Sequence, residues 1–410
     1  ISLSFCLVLI PLSGQLSTVI FSNIDWTRAI KLLVLSSALQ AINNLVNTLM
    51  RVQAKSVLFT VVNLTKLLIV LALTIYLIVF RHMGINGIYL AQVIGNLLFI
   101  VFLSGYAIKN CMAYFNFNLF RAMSKYGFPL LLANFAAASL TAIDRYSLNS
   151  LALLKFVAIY ALAYKISSVL KLVIVDSIKM AITPIVLQKI NVPDNQRFYS
   201  KTLLYSSFVL MLGIITISLF SNEVIKVISK STEFWGAFIV VPVLSLAVFF
   251  TNMRETSSYG LLINKKTGIV GINVVISCVL NILLNILLIP IWNIVGAAIA
   301  TALTQLIYWW LNYYFSQKEY FIPYEGRKII IMFITGALLS FAGLLLDEMY
   351  LIPRLIIKTG CVISFPFILY LFNFYEPVEL EVIKGFISKW SDLRNLRQNL
   401  RSFKGLQGKI

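Results

Sequence analysis

The chain has 410 residues, 60% of them hydrophobic and only 12% charged, about half the charged fraction of a soluble globular protein. Its formal net charge is +19, yet Lys and Arg gather in loops between apolar runs rather than in one basic patch, which excludes nucleic-acid binding as the origin of the charge. Such a composition is that of an integral membrane protein.

A bilayer core of about 30 Å takes roughly 20 helical residues to cross. Twelve stretches of that order succeed one another, at 1–21, 29–50, 57–80, 86–108, 127–149, 156–186, 202–221, 237–258, 268–289, 294–316, 328–346 and 352–374. The first opens inside apolar sequence at Ile1, without Met, as in a fragment that has lost its N-terminus; with a cytoplasmic native N-terminus the charge alternation is met by an even number of upstream helices or by none. Thirteen Lys and Arg between or at the ends of the spans, with seven more after residue 375, fall on one side of the alternation, against six on the other. Cytoplasmic loops retain positive charge, so the richer side, including the C-terminus, is expected in the cytoplasm.

The connection 109–126 alternates aromatic and polar residues and carries Lys109, Arg121 and Lys125, the pattern of a segment lying on the membrane surface. It is the natural point of division. A weak repeat supports the cut: Lys55, Asn63, Gly87 and Ala91 recur as Lys265, Asn273, Gly296 and Ala300 at an offset of 209–210 residues. Small residues four apart let helices approach closely, and parallel repeats are a transporter architecture with substrate held between halves. Pro129, Pro184, Pro242 and Pro290 fall in or at the ends of spans, where Pro kinks or ends a helix; Pro290 is expected to end one. The longest outer loop is 222–236, without His or Arg. After residue 375, Ile383, Phe386, Ile387, Trp390 and Leu393 keep helical spacing among Lys and Arg, as in a helix that rests on an anionic leaflet. Cys6, Cys111, Cys278 and Cys361 lack metal or redox spacing, and His82, the only histidine, sits in a short loop.

Ionisable residues at membrane depth cost about 2.5–3.5 kcal/mol each on insertion scales, so they must face a cavity, pair or snorkel. Lys66 and Lys165 each lie about nine residues into their spans, near the midplane at about 1.5 Å per residue. Arg145 stands beside Asp144 nearer an outer end. Lys66, Arg145 and Lys165 are therefore expected to line a cationic, water-filled cavity suited to an anion with paired phosphates. Lys165, Asp176 and Lys179 share one stripe of a regular helix, and Asp176 and Lys179 are spaced to pair. Lys31 and Lys358 lie close enough to span ends to snorkel. Tyr160 and Tyr164, one turn apart, are either packing residues or contacts for sugar rings or a gate.

The stretch Lys125-Tyr-Gly-Phe-Pro129, then Ala-Ile-Asp144-Arg145-Tyr-Ser-Leu, then Val-Ala-Ile-Tyr160-Ala-Leu-Ala-Tyr164-Lys165-Ile resembles the Wzx-type flippases of O-antigen and polysaccharide repeat units, relatives of the MATE exporters and the lipid II flippase. Asn281-Ile-Leu-Leu-Asn-Ile-Leu-Leu-Ile-Pro290 with the downstream Val-Gly296-Ala-Ala-Ile-Ala-Thr301 resembles that family's second lobe. The resemblance implies an all-α, MATE-like two-lobe bundle in which the twelve spans are the third to the fourteenth helices. Residues 1–108 would be the remainder of the N-terminal lobe, 109–126 the interlobe connection, 127–316 the C-terminal lobe, 328–374 two additional helices and 375–410 the basic tail.

It also implies the activity: movement of an undecaprenyl-diphosphate-linked oligosaccharide across the bacterial inner membrane by alternating access, without enzymatic chemistry. No cofactor or metal is expected. Coupling to a proton or sodium gradient fits, with Asp144 and Asp176 as acidic candidates and Lys179 as a pairing partner. Partners would be the bilayer, the lipid-linked substrate, and a polysaccharide polymerase with its chain-length protein. A multidrug exporter remains the nearest alternative and would need a more acidic cavity. A membrane polymerase or ligase would need a larger outer loop.

Overall fold

The computed structural model describes residues 2–21, 24–53, 55–110, 116–188, 195–229, 231–264, 266–346 and 349–381. Among these residues every regular element is helical. The chain forms two compact units, 1–117 and 118–410. Among the described residues eight helices are long and apolar enough to cross a bilayer, or nine if the bent pair Thr232–Ile239 and Val241–Ile263 is one crossing. The basic tail beyond residue 381 and Lys265 of the repeat lie outside the described residues.

The first unit holds α1 (Ser2–Leu9), α2 (Ser13–Phe21), α3 (Thr27–Val52), α4 (Ser56–Ile75) and α5 (Gly84–Asn110). The expected first span at 1–21 is two short helices, interrupted at Pro11, whose ring and missing N–H end α1. A π turn, Tyr76–Phe80, extends α4. Lipid is as apolar as a leucine side chain, so helix association here draws on packing and interhelical hydrogen bonds. Packing is close where α4 meets α5: a Cβ on Gly95 would lie 2.2 Å from Val70 Cγ2. Polar links join all three long helices. Asn43 Nδ2 donates to Asn96 Oδ1 at 2.9 Å between α3 and α5, and Asn63 Nδ2 donates to Asn47 Oδ1 at 2.9 Å between α4 and α3.

The second unit begins with α6 (Phe117–Leu151), α7 (Leu154–Leu170), the π turn Lys171–Asp176 and α8 (Ser177–Gln188). Next come α9 (Asn195–Leu219), α10 (Ser221–Ile228), a 3₁₀ segment at Thr232–Ile239, α11 (Val241–Ser257) and α12 (Tyr259–Ile263). It ends with α13 (Thr267–Glu319), α14 (Gly326–Leu345) and α15 (Leu351–Leu371). α6 holds the uncharged run 126–143 between Lys125 and Asp144. The bend of 47° between the 3₁₀ segment and α11 falls next to Pro242.

α13 is two spans in one continuous assignment. Pro290 does not end it; the chain reverses at Asn293, whose backbone is left-handed at φ 48°. With ψ at −122° this is the conformation of the first central residue of a tight turn, where Gly, Asn and Asp predominate. The reversal is tight: a Cβ on Gly296 would stand 2.2 Å from the Leu288 carbonyl oxygen. Only glycine fits there. Across the two arms Asn281 Nδ2 reaches Thr304 Oγ1 at 3.4 Å.

Charge pairs fix the ends of the second unit. At one end Lys201 of α9 bridges Glu325 at 2.6 Å and Glu376 at 2.5 Å, and Lys328 joins Glu325 at 2.6 Å. Burial works to raise the Glu325 carboxyl, but hydrogen bonds from Lys201 and Lys328 outweigh it and hold the group below its ordinary range. The hydrogen bond from Lys201 likewise lowers Glu376, against a small opposing effect of burial. Elsewhere Glu223 of α10 takes Arg354 at 2.8 Å and Lys358 at 3.0 Å. Lys358 is wholly buried and does not snorkel, because the short helix α10 puts a carboxylate in its reach.

Candidate functional site: two polar cavities and a buried carboxylate

Asp144 is buried within the second unit. Tyr160 of α7 donates to its Oδ2 at 2.7 Å, Thr301 donates to the same oxygen at 2.6 Å, and Asn285 donates to Oδ1 at 2.9 Å. The reversal at Asn293 makes this possible, since Asn285 and Thr301 come from opposite arms of α13. Asn285 also donates to Asn281 Oδ1 at 3.2 Å. Hydrogen bonds to a charged group each contribute about 1.5–3 kcal/mol, and an isolated buried charge without them is far more costly. Among the described residues no Lys or Arg lies within 4.0 Å of this carboxylate, and Asn285 Oδ1 beside it has no hydrogen-bond partner. The arrangement offers several oxygen atoms and a single negative charge to a small cation or a proton.

Thr301 also borders a cavity of 110 Å³. Its wall includes Tyr164, Ser167, Lys171, Arg254, Gln305 and Tyr308, and among the described residues no carboxylate. The Arg254 guanidinium stacks 4.3 Å from the centre of the Tyr308 ring, bonds Gln305 Oε1 at 3.3 Å and pairs with Glu255 at 2.7 Å. A stacked, always-charged guanidinium with donors to spare is suited to a phosphate.

The first unit has its own polar groove, of 590 Å³, lined by Ser37, Gln40, Asn44, Asn63, Lys66 and Gln92 among others, again with no carboxylate among the described residues. Lys66 Nζ donates to Gln40 Oε1 at 2.9 Å.

Of the three cations expected to line a central cavity, Lys66 borders the groove of the first unit. Arg145 and Lys165 belong to the second unit and are exposed; neither lines its 110 Å³ cavity. Arg145 turns away from Asp144 and lies 5.4 Å from the centre of the Tyr164 ring. Tyr164 lines the cavity, whereas Tyr160 is fully buried with its hydroxyl committed to Asp144. The expected stripe of Lys165, Asp176 and Lys179 is broken, because the π turn at Lys171–Asp176 inserts extra residues per turn and rotates α8 relative to α7. Lys179 accordingly pairs with Glu255 of α11 at 2.6 Å rather than with Asp176. Asp176 is half-buried and has no ion pair among the described residues.

Asn281, Asn285 and Thr301 were not among the residues expected at a site, although all three stand in the motif quoted for the second lobe. Polar residues four apart in an otherwise apolar run were the available signal.

No family model matches the chain, and no curated protein matches its sequence. Solved structures do match its fold. The lipid II flippase MurJ in an inward closed conformation aligns with a TM-score of 0.66 at 17% identity, over 90% of this chain and 82% of that one. A MATE protein in the straight conformation aligns at 0.65 and 11% identity, over 77% and 75%. A MOP-superfamily transporter from Pyrococcus furiosus, described by the reverse polarity of its binding pocket, aligns at 0.65 and 12%, over 77% and 75%. The protein is thus an all-α, multi-span membrane protein with the MATE-like fold shared by MurJ and the MATE transporters. Identities this low carry the fold and nothing finer.

Proposed function

We propose that the protein carries a polyprenyl-diphosphate-linked oligosaccharide, such as an O-antigen or capsule repeat unit, from the cytoplasmic to the outer leaflet of the bacterial inner membrane. The movement is by alternating access, and the C-terminus is cytoplasmic. The observation that carries this reading is the sign of the polar cavities: Lys66 lines one, Lys171 and the Glu255-paired Arg254 line the other, and among the described residues no carboxylate lines either. A cavity that accepts cationic drugs needs the opposite sign, whereas clustered Lys and Arg suit paired phosphates. Asp144 is the coupling residue in this reading. Its hydrogen-bonded carboxylate touches the cavity wall through Thr301, so that binding a proton or a sodium ion there changes the charge and shape of the wall.

The test is transport by the purified protein in proteoliposomes. A fluorescent undecaprenyl-diphosphate oligosaccharide should become accessible on the far leaflet, and Lys66→Ala with Arg254→Ala should abolish this while the protein remains monodisperse. Efflux of a cationic dye with no movement of the lipid-linked sugar would reverse the conclusion in favour of an exporter.

A further inference from the structure

Asp144 is buried, yet a column of polar groups within the second unit leads from it to a half-exposed lysine. The column starts at Thr301, which donates to Asp144 Oδ2 at 2.6 Å and borders the 110 Å³ cavity. Tyr308 follows two turns further along the same arm of α13, about 10 Å away, and borders the same cavity. Between these levels the wall carries the hydroxyls of Tyr164, Ser167 and Thr251 and the amide of Gln305. Such groups both donate and accept hydrogen bonds, and the volume has room for a short file of water molecules.

At the Tyr308 end the column is crossed by a charge. Arg254 lies 4.3 Å from the centre of the Tyr308 ring and donates to Gln305 Oε1 at 3.3 Å. Beyond it, Glu255 takes Arg254 through one carboxylate oxygen at 2.7 Å and Lys179 through the other at 2.6 Å. The Arg254 side chain is 15% exposed, that of Lys179 53%. The links from Asp144 to Lys179 are thus all polar, and the guanidinium stands across them. Lys171 adds a second positive charge to the cavity wall. A fixed guanidinium in a narrow polar path is an electrostatic barrier to cations. Glu255 is shared with Lys179, so the guanidinium keeps donors for an incoming anion.

We propose that this column is the route by which the coupling cation reaches Asp144, and that Arg254 is its gate. The gate opens by neutralisation. An anionic group of the substrate that occupies the guanidinium cancels its charge and lowers the barrier, so the cation loads only when substrate is present. This rests on the proposed role of Asp144 in coupling, and it adds the residue that ties ion entry to substrate. Without the gate, the cation loads alone and alternating access carries it across unaccompanied.

Ion flux through the full chain in zwitterionic proteoliposomes, without substrate, tests the gate. An internal pH dye reads protons and radioactive sodium reads Na+. The wild type should be tight to both. Arg254→Gln should pass one of them about tenfold faster, and Arg254→Lys, which keeps the charge, should stay nearer the wild type. Arg254→Gln with Glu255→Gln removes the pair together, avoids a lone buried carboxylate, and should slip in the same way. Adding Asp144→Asn to Arg254→Gln should return the flux to baseline. Undecaprenyl diphosphate should raise the flux of the wild type, and phosphatidylcholine should not. If both Arg254 variants are as tight as the wild type while Asp144→Asn abolishes the gradient response of transport, the gate fails and coupling at Asp144 stands. If Asp144→Asn keeps that response, the coupling reading fails and the gate with it. A slip in Arg254→Gln that Asp144→Asn leaves unchanged would overturn the route.

Discussion

Lys358 of α15, with no exposed surface, holds both carboxylate oxygens of Glu223, at 3.0 and 3.1 Å. Arg354, one turn earlier, meets the same carboxylate at 2.8 Å. One acid on a short helix thus anchors the last described span. Removing one member of a buried ion cluster leaves the rest uncompensated, at a cost of about 3–5 kcal/mol. Glu223→Gln should therefore lower the melting temperature in detergent markedly. Lys358→Met, which leaves Glu223 with Arg354, should cost less. Equal melting of Glu223→Gln and the wild type would show that the cluster contributes nothing to anchoring.

The reversal in α13 depends on one missing side chain. Gly296→Ala would place a methyl 2.2 Å from the Leu288 carbonyl oxygen, which is backbone and has no room to yield. The two arms should separate, loosening the Asn285 and Thr301 contacts to Asp144, with membrane abundance falling several-fold. Gly268→Ala, in the same helix with open space around its Cβ, is the control and should be tolerated. Normal abundance and melting of Gly296→Ala would contradict the tight reversal.

Sequence is legible where the forces act over short distances along the chain. Lipid imposes long apolar runs on each crossing, so the long helices are readable from α3 onward. Register within a span is not. The π turn at Lys171–Asp176 shifts Asp176 and Lys179 off the face of Lys165, and nothing in the residues of that turn announces it. Partners distant in sequence were hidden for the same reason. Lys358 finds Glu223 135 residues away, and Asp144 finds Asn285 and Thr301 at separations of 141 and 157. The amide groove is a further case. Gln40, Asn63 and Gln92 sit on three different helices, and each reads alone as an ordinary polar interruption.

Acid should loosen the bridge that Lys201 makes between α14 and the segment after α15. The carboxyls of Glu325 and Glu376 both lie below their ordinary range in the folded protein. A folded value depressed in this way contributes stability above the unfolded carboxylate value of about 4.3, and that contribution is lost as pH falls through the lower folded values. The melting temperature should therefore fall between about pH 5 and pH 3, and the Glu325→Gln, Glu376→Gln double variant should show a flatter profile with a lower plateau near neutrality. Parallel profiles for the variant and the wild type would remove these two groups from the acid response.

Asp144 gives the sharpest test of coupling, because its neighbours separate charge from structure. Asp144→Asn keeps the shape and retains an acceptor for Tyr160 and Thr301, the two donors on Oδ2. The variant should fold and should still bind the lipid-linked substrate. It should no longer respond to an imposed proton or sodium gradient, so that transport in proteoliposomes proceeds only down the substrate's own gradient. Asp144→Ala should add a fold defect, since three donors lose their acceptor in a buried site at about 1–3 kcal/mol each. Thr301→Val removes one of those donors and should weaken the gradient response with less loss of stability than Asp144→Ala. If Asp144→Asn responds to either gradient as strongly as the wild type, the coupling ion binds elsewhere and the buried carboxylate serves only to pin α6 and α7 to the two arms of α13.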